Sequence, residues 1–196
     1  MLRRDHTPHG PPRRSRFRLL GAALAAVTIF GAAAGTGDAL ATACPGADAQ
    51  PTLASKDAIT RATLCMVNAE RVSRGLGALR LHAQLSVAAR RHSGDMVRRH
   101  YFSHTAPGGT RFVDRIRRTG YLRSVHHWVV AENIAWGSRA KAPPGAIVSA
   151  WMHSPPHREA ILTPTYRDAG VGVSRGVPIP RAPDGATYTI EFGAKR

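Results

Sequence analysis

Six arginines within the first 18 residues, followed by an uncharged Leu- and Ala-rich run from Leu19 to Ala34, decide how much of this chain is available to fold. A basic stretch ahead of a short apolar run has the layout of a secretory leader. A small-x-small pattern follows, at Ala39-Leu40-Ala41 or Ala41-Thr42-Ala43. The apolar run falls short of the roughly 20 residues that a spanning helix needs, which argues for a cleaved leader over a retained anchor. Arg13-Arg14 hints at twin-arginine export, although Phe17 stands one place later than that signal's usual aromatic. The expected organisation is a signal peptide over 1–41, a tether over 42–56 and one folded domain over 57–196 of a secreted, extracellular protein. The alternative is a lipid anchor on Cys44, for which Ala41 occupies the position where Leu is usual.

Cleavage after Ala41 removes six arginines and two aspartates from a chain of net charge +16, so 155 residues at net +12 remain. With 43% hydrophobic residues in the whole chain, they can build one core. Such a positive balance suits anionic lipid or an acidic cell-envelope polymer outside the cell. Nucleic acid is not expected, because no RNA-binding motif, basic zipper or aromatic-interleaved basic stripe occurs. Since 25 of the 28 basic residues are Arg, genomic composition explains the charge as readily as a binding patch does. Cys44 and Cys65 are the only cysteines, and in an oxidising compartment they are expected to pair. A monomer is expected, with no transmembrane span after cleavage.

Hydrophobic spacing predicts helices in the first half of the mature chain and strands at its end. Ser55 is a candidate N-cap for a helix reaching about Arg74, with Ile59, Ala62, Met66 and Ala69 on one face. A second helix is expected over about Gln84 to Arg99, where Leu85, Ala88, Ala89, His92 and Met96 form a buried stripe. Thr110 is a candidate cap for a short third helix carrying Phe112 and Ile116. Residues 128–137 read as extended, Ala146 to Met152 as helical, and Ser154-Pro155-Pro156-His157 as a fresh helix start. Strands over Ala169 to Ser174 and Thr187 to Phe192 complete an α+β arrangement.

Three side chains stand out chemically. His104 and His157 lie in turn-rich segments, not on an apolar stripe, and Glu132 sits between Ala131 and Asn133, where an ionised carboxylate requires a partner or a metal. Together they would supply the three protein ligands of an open zinc site. The competing reading is a buried polar network that pins loops together. His153 and His157 are four apart, but Pro155 and Pro156 intervene and the general-base Glu of a zincin helix is missing. Without a G-x-S-x-G elbow, Ser103 and Ser154 are poor nucleophiles. His92 reads as a satisfied core histidine, His126-His127 as a solvated pair, and Gly170-x-Gly172 as part of a strand.

The segments "CMVNAER", "YFSHTAPGG", "AENIAWG", "WMHSPPHREAIL", "DAGVGV" and "YTIEFG" occur in the order found in bacterial CAP-domain proteins, which the chain resembles over residues 57–193. The resemblance implies an α-β-α sandwich with a central antiparallel sheet and helices on both faces. It also implies a cleft in which His104, Glu132 and His157 match three of the family's two His and two Glu. Ser154 falls where the fourth, a Glu, would stand. On this basis the cleft is expected to bind zinc, another divalent metal or a small ligand, with no catalysis required. A metal-dependent hydrolase, using Glu132 or a His as general base, is one alternative, and a lipid or cell-envelope binding module is the other. Trp128, Trp136 and Trp151 are candidates for apolar cleft walls.

Overall fold

A glycine pair on one strand governs how closely helix and sheet meet in this protein. A Cβ on Gly170 would overlap the backbone of Leu85 and Ser86, and one on Gly172 that of Ala89 and Arg90. Any larger residue would push the helix away from the sheet. The computed structural model describes residues 44–51, 56–180 and 184–196, so the expected leader, both cleavage patterns and Ser55 lie outside the described residues.

The order is α1 (Lys56–Val72), β1 (Arg80–Leu81), α2 (Ala83–Arg99), α3 (Phe112–Arg118), β2 (Trp128–Ser138), a 3-10 turn (Arg139–Lys141), α4 (Pro144–Met152), α5 (Pro155–Leu162), β3 (Asp168–Arg175) and β4 (Gly185–Lys195). The sheet runs β1-β3-β4-β2. β4 pairs antiparallel with β2 and with β3 along their lengths. The expected antiparallel sheet gains one parallel edge, where Arg80 and Leu81 stand beside Asp168 and Ala169. That edge is two residues long because the chain turns at once into α2, and an Arg80 guanidinium bond to Asp168 Oδ1 at 2.9 Å holds it.

Strand alternation divides the protein into layers. Val171 and Val173 of β3 and Tyr188, Ile190 and Phe192 of β4 pack with Ile59 and Val67 of α1, Ile147 and Trp151 of α4, and Ile161 of α5. Each fully buried Ile or Phe here contributes about 2 kcal/mol. The opposite face carries the two glycines together with Thr189, and Ser93 of α2 donates to the Gly172 carbonyl at 3.0 Å while meeting the Thr189 hydroxyl at 2.9 Å. Leu85, Ala88, Ile116 and Tyr121 make a second, smaller core beneath α2 and α3. The result is the α+β sandwich, helices on both faces. Trp151 is a core residue whose indole donates to the Ile134 carbonyl at 3.1 Å, so it forms no cleft wall.

Element ends differ from the sequence expectations for local reasons. α3 starts one residue later than a Thr110 cap would put it, because Arg111 takes the N-cap position and its N–H donates to the Asp114 carboxylate at 3.1 Å. The last strand extends beyond 187–192 at both ends because β2 and β3 flank β4 over nearly its full length. The Cys44–Cys65 disulfide is present and ties the N-terminal segment to α1. A bridged Cys44 has no thiol left for a lipid.

Two measurements check these constraints. Replacing both Cys44 and Cys65 with Ser should lower stability by about 3 kcal/mol in urea unfolding, given loop-closure entropy over the 21-residue separation. Gly172→Ala should cost about 2 kcal/mol or more, since its methyl meets helix backbone that cannot move aside.

Candidate functional site

β2 is an edge strand, and its Glu132-Asn133 pair reaches both faces of the sheet. Glu132 lies opposite Glu191 of β4, on the α2 side. Its carboxylate is fully buried and cannot rely on water, so it must find its partners within the protein. Oε1 accepts from Nδ1 of His104 at 2.7 Å, and Oε2 from the Arg115 guanidinium at 2.6 Å. His92 stands at 3.8 Å from Oε2. Asn133 points the other way and donates to the His157 carbonyl at 2.9 Å, fixing the first turn of α5.

Arg115 does more than neutralise. It also donates to the carbonyls of His104 at 3.0 Å and Thr110 at 3.2 Å, so one guanidinium holds two points of the loop that carries His104. His92 is the core histidine expected, with its Nε2 at 3.0 Å from the Ser103 carbonyl. Burial pushes its pKa down to about 4, with Glu132 pulling the other way, so His92 is neutral at neutral pH and Nε2 carries the proton.

The carboxyls of Glu132 and Glu191 titrate as a pair. Burial raises Glu132, but the His104 hydrogen bond and the charge of Arg115 outweigh it and hold the group below the ordinary carboxylate range. Glu191 goes the opposite way. Burial, then the Glu132 charge, hold its carboxyl well above the ordinary range. It is the protonated member of the pair, and both its oxygens are buried without a hydrogen-bond partner among the described residues.

His104 is half exposed, with 49% of its side chain accessible. Donation from Nδ1 to Glu132 leaves Nε2 with its lone pair, the tautomer that a ligand or metal ion needs. His157 occupies the third position of α5, and burial lowers its pKa, so it too is neutral at neutral pH. Ser154 takes the N-cap position of α5 without a side-chain capping bond. The structure thus joins His104 directly to Glu132 and reaches His157 through Asn133. Both oxygens of Glu132 are engaged, and among the described residues no three His, Cys, Asp or Glu side chains converge to hold an ion.

Sequence reasoning missed Arg115, Glu191 and Asn133. Arg115 looks like one more member of the exposed run Arg115-Ile116-Arg117-Arg118, yet a buried Glu132 required a cation from some segment. Glu191 carries a readable signal: it continues the Thr187, Thr189 alternation onto a face buried under a helix.

The fold is that of an α+β sandwich domain, with helices on both faces of a four-stranded sheet. A profile of the Cysteine-rich secretory protein family (CAP) matches residues 64–178, more than half of the chain, and the protein belongs to that family. It is 36% identical over 107 residues to the uncharacterized protein YkwD of Bacillus subtilis (strain 168), covering 55% of this chain and 39% of that protein. It is 35% identical over 112 residues to the uncharacterized membrane protein YlbC of the same organism, covering 57% of this chain and 30% of that one. The chain therefore spans less than half the length of these curated relatives. An extracellular SCP-domain protein from Bacillus anthracis str. Ames shares the fold with a TM-score of 0.56 at 25% identity, over 70% of this chain and 40% of that one. An outer surface protein of Borrelia burgdorferi shares it with a TM-score of 0.53 at 22% identity, over 68% of this chain and 90% of that one. Among the described residues no helix is long and apolar enough to cross a membrane.

The carboxyl pair yields opposite mutational signs. Glu132→Gln should destabilise by about 3 kcal/mol at pH 7, because it leaves Arg115 buried and unpaired. A depressed pKa contributes stability that is present above the unfolded value of about 4.3 and lost as pH falls through the folded value. The gap between Glu132→Gln and wild type should therefore narrow in acid. Glu191→Gln should stabilise at pH 7 to 8, since a raised pKa costs stability once pH exceeds the unfolded value. That gain should vanish near pH 4; a loss of stability at pH 8, measured by thermal unfolding, would contradict the protonated assignment.

Proposed function

We propose that the protein is an extracellular binding module whose cleft, between His104 and His157 with Ser154 at its side, takes a divalent metal ion such as zinc or a small polar ligand without catalysis. The observation that supports this most is the 2.7 Å bond between His104 Nδ1 and Glu132, which turns the other ring nitrogen, Nε2, into a fixed acceptor. A carboxylate behind an imidazole is the arrangement that orients metal-binding histidines. In this reading the two imidazoles would hold the ion, with Glu132 orienting and not ligating because its oxygens are already engaged. Bound there, an ion would supply Lewis acidity and further coordination positions for a ligand.

The state of Glu132 supports a binding role over a catalytic one. A carboxylate held below its ordinary pKa by His104 and Arg115 is a weak base at neutral pH, so it is poorly suited to activating water. The Ser154 hydroxyl, free of a capping role, is placed to hydrogen-bond a ligand. The excess of basic residues suits residence at an anionic cell envelope, and the resemblance to extracellular and surface proteins agrees with export.

Calorimetric titration with zinc at pH 7.5 tests the reading on wild type, His104→Ala and His157→Ala. One-to-one micromolar binding, lost in both variants, is the expected result. No binding, or binding that survives both substitutions, would reduce the cleft to a structural network.

A further inference from the structure

Behind Arg115, away from His104 and His157, a basin of about 360 Å3 opens between the C-terminal half of α2, residues 106–110 and α3. Arg91, Arg98, Arg99, Arg115 and Arg118 line it, against the single carboxylate of Asp95. Gathering five guanidinium groups around one basin is electrostatically unfavourable unless negative charge offsets them.

The available protein charge does not suffice. Asp95 is shared, with Arg98 at 3.5 Å, Arg99 at 3.6 Å and the Tyr101 hydroxyl donating at 2.7 Å. Glu132 neutralises Arg115, yet the Nε of that side chain, only 9% exposed, is buried without a hydrogen-bond partner. Arg91 and Arg118 are exposed and have neither an ion pair nor a side-chain hydrogen bond among the described residues. Three of the five positive charges are therefore uncompensated, since the neutral His92 adds none. Composition alone would leave an excess of arginine scattered over the surface, whereas here five guanidinium-bearing side chains line one basin.

We propose that this basin binds a phosphate group, as a phosphomonoester, phosphodiester or pyrophosphate. Guanidinium forks match phosphate oxygens in pairs. The forks here come from two helices, α2 and α3. A planar carboxylate would satisfy one fork, whereas a tetrahedral phosphate presents oxygens to several at once. The volume lies at the small end of ligand pockets, enough for a phosphate with a short substituent. The basin shares Arg115 and His92 with the network behind His104, but neither His104 nor His157 lines it, and Arg91 and Arg118 lie outside that network.

The test uses the full chain and the exposed pair Arg91→Gln/Arg118→Gln, with Arg123→Gln/Arg175→Gln as a control that removes the same charge elsewhere on the surface. Inorganic pyrophosphate is titrated by calorimetry, and phosphatidylglycerol vesicles are assayed by co-sedimentation. Saturable pyrophosphate binding that weakens roughly tenfold or more in the basin pair, and stays within about twofold in the control pair, is the expected result. If vesicle binding shows that same difference, the phosphate is a lipid headgroup; if only pyrophosphate does, it is a free phosphate. Either result supports the site. No binding of either probe by the wild type, or equal weakening in both pairs, would overturn it.

Discussion

Burial of one carboxylate, Glu132, is the constraint from which the functional end of this molecule follows. An ionised group without water must be surrounded by donors and positive charge, and each donor recruited here belongs to a different segment. His104 comes from the loop after α2, Arg115 from α3, and Glu191 gives up its own charge to stand beside it on β4. The loop bearing His104 has no regular secondary structure, and the guanidinium of Arg115 braces it by binding the carbonyls of His104 and Thr110. Stability and site geometry are in this sense one network. A change that frees the carboxylate also frees the imidazole.

Edge-strand alternation extends that control to the far side of the sheet. Because successive residues of a strand point to opposite faces, Glu132 and Asn133 can anchor the His104 loop and the first turn of α5 from two adjacent positions. The segments of two histidines 53 positions apart in the chain are thereby anchored to one strand. The close seating of α2 on Gly170 and Gly172 sets the other boundary, since it carries His92 down to within 3.8 Å of the carboxylate. A sheet without those glycines would hold the helix, and with it the start of the His104 loop, farther out.

Much of the architecture was legible because it rests on periodic burial. The stripe from Leu85 to Met96 marks α2 within one residue of its start, and the proline-led turn before His157 opens α5 as its chemistry requires. Gly170-x-Gly172 was correctly placed on a strand, although its reason, contact with helix backbone, has no signature in one dimension. Strand ends and the short parallel edge at Arg80 were not legible, because they depend on what flanks a segment and not on the segment. The same holds for Trp151, whose indole could have served a cleft or a core until the Ile134 carbonyl was found opposite it.

By itself, the sequence determined the α+β class, the chemical oddity of a carboxylate between apolar neighbours, the pairing of the two cysteines and the candidates His104 and His157. These are properties of residue type and short-range pattern, and a single chain carries them openly. Only the tertiary structure decided who answers Glu132: Arg115, which in sequence is one of several similar arginines, and Glu191, whose proton depends on a neighbour 59 positions away. It alone gathered Arg91, Arg98, Arg99 and Arg118 around one basin with the buried guanidinium. The physical reason is that charge acts through space: a group's partners, and therefore its protonation and its use, are set by which segments the fold brings within a few ångströms.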